Sequence, residues 1–289
     1  MNFAIRYLTE YDYDKPVEDN LNVLRMTPAT TPTQRCEGID VVVEPPARVS
    51  RHHDYFGTEV IELGIVGAHE HLTIDARARV ATSEPPAPGD PPWSTIADDE
   101  YREAGAEFLL DRQAVSSAGT IEELVSATRA DSPLATLRSL VEVIPDRFEY
   151  QPGSTYVGST VEDLLTGGAG VCQDFVHLSL MLLRRHGIAT RYVSGYLYAA
   201  PDADATESLE VATHAWIEAL LPADGGGPGD GAWVGADPTN RKLAGEEYVK
   251  IGHGRHYADL PPVKGVYRGA ASSRMEAKVT MTRVDELEG

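Results

Sequence analysis

Thr166-Gly167-Gly168-Ala169-Gly170-Val171-Cys172-Gln173-Asp174-Phe175-Val176-His177 runs from a glycine-rich approach straight into a strongly apolar amphipathic segment. Residues 172–186 carry the strongest helical pattern in the chain. Phe175, Leu178, Leu182 and Val176, Ser179, Leu183 recur at spacings of three and four, and Gly187 is a stop. A helix this apolar on its inward face is predicted to be central to a core. Its first turn presents unpaired backbone N–H groups and the positive end of the peptide dipole, a setting that favours an anion, and Cys172 stands there. A thiolate at that place is a candidate nucleophile.

Downstream, residues 190–199, 209–221, 231–236 and 276–284 read as strands. The stretch 224–231, Asp-Gly-Gly-Gly-Pro-Gly-Asp-Gly, is predicted to be a flexible hairpin loop that makes its flanking strands antiparallel neighbours. In Thr213-His214-Ala215-Trp216-Ile217-Glu218, alternation puts His214, Trp216 and Glu218 on one face. Asp237 ends the next strand, in Gly235-Ala236-Asp237-Pro238-Thr239. The two side chains share a face if the register pairs an even-numbered residue with an odd one, and His214 opposite Asp237 leaves a loop of sensible length. The carboxylate then sets the imidazole tautomer while the other ring nitrogen takes the thiol proton. Cysteine, histidine and aspartate in that order are the parts of an activated-thiol site.

Upstream, helices are expected at 98–110, at 120–130 with Thr120 and Glu123 as a capping box, and at 133–144, with a short one at 162–165. Residues 1–82 alternate in short β-branched runs between turns and read as an all-β sandwich of six to eight strands. Five prolines between Ser83 and Pro92 mark 83–95 as a linker, which leaves 96–289 as the domain carrying Cys172. Cys36 falls on a loop-like stretch, and 271–289 ends in an acidic tail expected to fray.

A formal net charge of −20 argues against nucleic acid and anionic membrane as partners. Two cysteines make no disulfide framework, the N-terminus lacks a secretory pattern, and no apolar run is long enough to span a bilayer, so a cytoplasmic location is expected. His69 and His71 share a strand face, and His52-His53 is a second histidine pair, but neither has a third ligand nearby. No metal or cofactor is expected. Trp216 and Trp233 read as core with one edge at a cleft, and Asp174 and His177 receive no catalytic role.

The segments 170–177, 185–197, Thr213-His-Ala-Trp-Ile-Glu218 and Ala236-Asp-Pro-Thr-Asn240 resemble the bacterial and archaeal transglutaminase-like cysteine protease family. The similarity continues into 257–265 and over the β-rich N-terminal region, which looks like that family's accessory domain. The resemblance implies an α+β architecture, a papain-like transglutaminase core whose central helix carries the cysteine and packs on an antiparallel sheet, preceded by an all-β sandwich. It implies a catalytic triad of Cys172, His214 and Asp237, a peptide or glutamine-type amide as substrate, and a thioester resolved by water or an amine. The Cys172 backbone N–H is a candidate oxyanion donor; Gln173, Trp216 and Tyr192 are alternatives for a second one. Two other enzymes, a strictly hydrolytic cysteine peptidase or amidase and a metal-dependent hydrolase, and a non-catalytic peptide-binding module are the competing readings.

Overall fold

A computed structural model describes residues 1–110, 115–199, 208–222 and 231–285. The N-terminal region holds β1 (Asn2–Leu24), β2 (Gln34–Glu44), β3 (Arg48–His53), β4 (Glu59–Ile65) and β5 (His69–Thr82), five strands rather than six to eight because the first is so long. β1 serves two sheets: Asn2 to Asp12 pair with β5, and Asn20 to Leu24 pair with β4. The ladder with β5 shifts between Asp12 and Val17, and Pro16, which has no N–H to give, sits in that gap. Phe3, Ile5, Tyr7, Val17 and Leu24 turn inward against Ile61, Leu63, Leu72 and Ile74, forming the sandwich core. Cys36 lies on β2 opposite Val80 and packs half-buried against that core, so the loop-like reading was wrong.

Residues 83–92 are irregular, but α1 (Trp93–Ile96) starts inside the segment expected as linker. Trp93 anchors it: the indole N–H donates to the Ala130 carbonyl at 3.0 Å, and the Arg129 guanidinium lies over its ring at 3.2 Å. In place of one helix over 98–110 there are α2 (Asp99–Ala104) and α3 (Ala106–Leu109), broken at Gly105. α4 (Ala118–Thr128) begins before Thr120, so the expected capping box does not form. Ser117 holds the N-cap position, but its hydroxyl donates to Glu162 at 2.6 Å instead of capping. α5 (Pro133–Arg147) is capped by Ser132 and carries Pro145 only in its final turn. β6 (Glu149–Tyr150) follows, then α6 (Val161–Gly167), which starts with a Thr160 and Asp163 capping box and ends at Gly168 in the left-handed region, φ 73°. β7 (Ala169–Gly170) pairs parallel with β6 and delivers the chain to α7 (Cys172–Arg185).

Next come β8 (Thr190–Leu197), β9 (Ser208–Val211), β10 (Thr213–Pro222), β11 (Gly231–Asp237), β12 (Lys242–Leu243) and β13 (Tyr248–Gly254). Five of these form an antiparallel sheet in the order β12-β11-β10-β8-β13. α7 packs on β8 and β10, burying Phe175, Val176, Leu178 and Leu182 with Ala215, Ile217 and Ala219, the α+β arrangement expected. The strand read as 209–221 divides at Ala212: β10 stays in this sheet while β9 leaves it. After a 3-10 turn at Tyr257–Asp259, β14 (Val263–Arg268) and β15 (Ser273–Arg283) return to β1, and β9 pairs with β15. β15 covers the strand expected at 276–284 to within its last residue and starts three residues before it, and three strands of 96–289, β9, β14 and β15, complete the sheet system begun by residues 2–82. Tyr196, Tyr198, Val249 and Ile251 join the sandwich core, so the two regions share one apolar boundary. The hairpin stretch 224–230 and residues 286–289 lie outside the described residues. No described helix is long and apolar enough to cross a membrane.

Candidate active site

β10 and β11 bring His214 and Asp237 onto one face. Ile217 pairs with Ala236, an odd with an even number, so the parity needed for a shared face holds, but the register is slipped by two from a direct His214 and Asp237 pair. Asp237 stands diagonal to His214, and its Oδ2 lies 2.7 Å from the ring Nε2. A carboxylate offers only acceptors, so Nε2 carries the proton and Nδ1 is the ring's free acceptor in the neutral form. The Cys172 side chain comes within interaction range of the same imidazole. Burial alone lowers the His214 pKa; the hydrogen bond and charge of Asp237, joined by Cys172, outweigh it and raise the ring to about 9. The structure thus brings together all three side chains singled out in the sequence.

Asp237 has no solvent-exposed surface, and a carboxylate there needs donors. It has five. Thr239 N–H and Asn240 N–H reach Oδ1 at 2.8 and 3.2 Å, while His214, the Asn240 amide at 2.6 Å and the Tyr248 hydroxyl at 2.8 Å reach Oδ2. Burial pushes this carboxyl up, but the bonds from His214, Asn240 and Tyr248 hold it below the usual range. Sequence reasoning missed Tyr248 and Asn240. Asn240 stood inside a quoted motif, where the turn after Pro238 was the available signal; Tyr248 opens a strand that was not predicted.

Cys172 is the first residue of α7 and partly buried. Asp174 at the third helical position accepts from the Val171 N–H at 2.8 Å and from the Thr155 hydroxyl at 2.6 Å, tying the approach and a neighbouring loop to the helix start. Among the candidates for a second oxyanion donor, Gln173 gives its amide to the Val157 carbonyl at 3.3 Å. Tyr192 and Trp216 are each 2 % exposed. Trp216 lies near-parallel to the His214 ring at 6.3 Å and backs it from within the core, without an edge at a cleft. Gly195, the register partner of His214, makes room: a Cβ there would stand 2.6 Å from the Trp216 ring and 2.1 Å from the Val249 carbonyl. Trp233 is half-buried, held by Phe108 edge-on and by Arg191 at 3.9 Å over its face.

A second polar cluster occupies the same face of β10. Glu218 Oε2 takes Lys250 Nζ and Arg191 Nε, each at 2.6 Å, and Arg191 Nη1 lies 3.2 Å from His253 Nε2. Burial pushes the Glu218 pKa up, but the two cations win and hold it down at about 2; burial likewise pushes Lys250 down to about 8. In the sandwich, His69 uses its nitrogens on Gly67 O and Asn20, and His71 pairs with Asp12 at 2.6 Å.

Residues 3–81 match the bacterial transglutaminase-like N-terminal region, and residues 122–238 match the transglutaminase-like superfamily. The uncharacterized protein Rv2569c of Mycobacterium tuberculosis is 32 % identical, over 96 % of this chain and 91 % of that protein. The uncharacterized protein ML0607 of Mycobacterium leprae is also 32 % identical, over 96 % of each. Among solved structures, a candidate cysteine protease from Cytophaga hutchinsonii superposes with a TM-score of 0.73 over 99 % of this chain and 92 % of its own, at 22 % identity, a likeness of fold. The chain belongs to the transglutaminase-like superfamily, with a bacterial transglutaminase-like N-terminal region preceding the core.

Proposed function

We propose that the protein is a thiol-dependent acyl-transfer enzyme acting on peptide or glutamine-type carboxamides, with Cys172 as nucleophile, His214 as general base and acid, and Asp237 orienting the ring. The observation that carries this reading is the imidazole held between a buried carboxylate at 2.7 Å and the Cys172 side chain. With Nε2–H fixed on Asp237, Nδ1 takes the thiol proton, and the ring, raised to about 9, holds it at neutral pH while sulfur attacks the amide carbon. The carbonyl π bond opens to an oxyanion, which the Cys172 N–H, free of an intrahelical partner at the first helical position, is placed to receive. Collapse restores the carbonyl, breaks the C–N bond, and sends the ring proton to the departing ammonia or amine. A thioester remains on Cys172. Water or an amine then adds, His214 taking its proton and returning it to sulfur, which gives acid or new amide. Both cysteines are unbridged, so the thiol is available.

The test is trapping. Incubation with a panel of glutamine-containing and short peptide amides should add the acyl mass to the peptide that bears Cys172, and a thiol reagent at near-neutral pH should label Cys172 well before Cys36. No adduct from any amide, together with equally slow labelling of both cysteines, would end the proposal. Mixed amines in the quench report whether an amine competes with water.

A further inference from the structure

Tyr150 stands beside the thiol without belonging to the three side chains that carry the proposed reaction. Its strand is tied to the approach to α7 on both sides of it: the Glu149 N–H donates to the Gly168 carbonyl and the Gln151 N–H to the Gly170 carbonyl, each at 2.9 Å. Tyr150 itself is the register partner of Gly170, two residues before Cys172. The fit leaves no slack, since a Cβ at Gly170 would lie 2.9 Å from Leu164 Cδ1 and 3.0 Å from Asp174 Cβ. The Tyr150 ring meets Phe175 edge-on at 6.3 Å, and Phe175 lies one turn along α7 from Cys172 on the same side of the helix. Ladder and ring contact together keep this side chain over the first turn of α7.

An oxyanion formed at Cys172 has the backbone N–H there as one donor, and such a charge is ordinarily met by more than one preorganised donor. The phenol of Tyr150 is free to be the other. The residue is 50 % exposed, and among the described residues its hydroxyl has no hydrogen-bond partner. Burial raises its pKa, and the charges of Cys172 and Asp237 raise it further, so the hydroxyl lies in the field of both and keeps its proton at neutral pH. His214 and Tyr192 feel the Cys172 charge as well. His214 is the base, however, and Tyr192 is sealed in the core at 2 % exposure. Gln173 has already committed its amide to the Val157 carbonyl. Tyr150 is the donor left facing solvent beside the sulfur.

We infer that the Tyr150 phenol is the second oxyanion donor, bonding the carbonyl oxygen of the attacked amide as negative charge grows on it. The inference rests on the proposed function, which puts that carbonyl at Cys172. Tyr150 keeps its proton throughout, and its bond is strongest at the tetrahedral stage, so losing it falls on kcat rather than KM. The test is Tyr150→Phe, which keeps the ring against Phe175 and deletes only the donor. Turnover of a blocked glutamine-containing peptide amide should fall about 10²-fold in kcat with KM unchanged. Alkylation of Cys172 by iodoacetamide is the control. There sulfur displaces iodide at a saturated carbon and no oxyanion forms, so the rate and its pH profile should match wild type. A kcat equal to wild type would overturn the assignment. So would a kcat loss mirrored in the alkylation rate, which would mean that Tyr150 shapes the thiol, or a rise in KM alone, which would make it a wall for substrate. These outcomes are read on an active wild type and leave the acyl-transfer reading standing; a wild type that turns over no amide would sink that reading, and the donor with it.

Discussion

His214 and Glu218 stand four residues apart on one face of β10, and each is the hub of a buried polar cluster. Around Glu218 every charge is answered by another fixed charge: Lys250 and Arg191 close on one carboxylate oxygen, and Arg191 is further pinned over Trp233 and beside His253. Around His214 the chain of contacts ends at Cys172, a group that can react. Both clusters shift pKa values strongly, so perturbation alone does not mark a site. What separates them is whether one end of the network is chemically open.

Single substitutions should pull the two apart. Cys172→Ala is expected to lower kcat on a peptide amide by about 10⁴-fold or more while leaving the denaturation midpoint near wild type. Asp237→Asn keeps the shape but inverts the tautomer preference of the ring. It should cost about 10² to 10⁴-fold in kcat, and NMR titration should find the His214 pKa well below its native value of about 9. Glu218→Ala is the mirror experiment. It strands Lys250 and Arg191 in the interior, and denaturant titration should show a loss of about 3–5 kcal/mol, with per-molecule labelling of Cys172 in the folded fraction unchanged.

The pH dependence of stability should also distinguish them. His214 is raised from 6.5 to about 9, so its contribution is complete below pH 6.5 and is lost as pH rises through about 9. Glu218 is lowered from 4.5 to about 2, so its contribution is complete above pH 4.5 and is lost as pH falls towards 2. Lys250, lowered from 10.5 to about 8, acts oppositely to His214: the folded state binds its proton poorly, so stability recovers between pH 8 and 10.5. The comparison is therefore made by difference. His214→Gln should remove the alkaline loss between pH 6.5 and 9 and leave the acid limb in place; an unchanged alkaline limb would assign it elsewhere.

Much of this arrangement was legible in the residues. The helix predicted at 172–186 is Cys172–Arg185, because its periodicity reports a face that really is buried. Strand alternation placed His214 with Glu218 correctly, yet the exact register of β10 and β11 depends on the connecting loop and slipped by two. β13 escaped because Lys250, Gly252 and Gly254 interrupt its hydropathy. Gly252 is there for a tertiary reason, since a Cβ would lie 2.3 Å from Thr58 Oγ1 across the boundary with the sandwich. The Thr120 and Glu123 capping box fails because α4 starts two residues earlier, where Glu162, distant in sequence, accepts from the Ser116 and Ser117 N–H groups. The return of β14 and β15 to β1 likewise has no local signature. Periodicity therefore recovered what one element does for itself, and the misses are places where a remote partner decides.

Tyr248 gives the smallest and sharpest test, because it touches the open cluster without closing it. Its hydroxyl donates to Asp237 Oδ2, the same oxygen that holds His214, while its ring packs on Trp216 at 5.3 Å and beside His214 at 6.3 Å. Tyr248→Phe keeps the packing and removes one donor of five. Stability should fall by about 1 kcal/mol, the ordinary net worth of such a bond. With one competitor gone, the oxygen carries more of its charge towards the imidazole, so the His214 pKa should move slightly up, opposite in sign to Asp237→Asn. A fall in both variants would mean that Tyr248 holds Asp237 in place rather than tuning its charge, and the fivefold donor set would then be scaffolding for position alone.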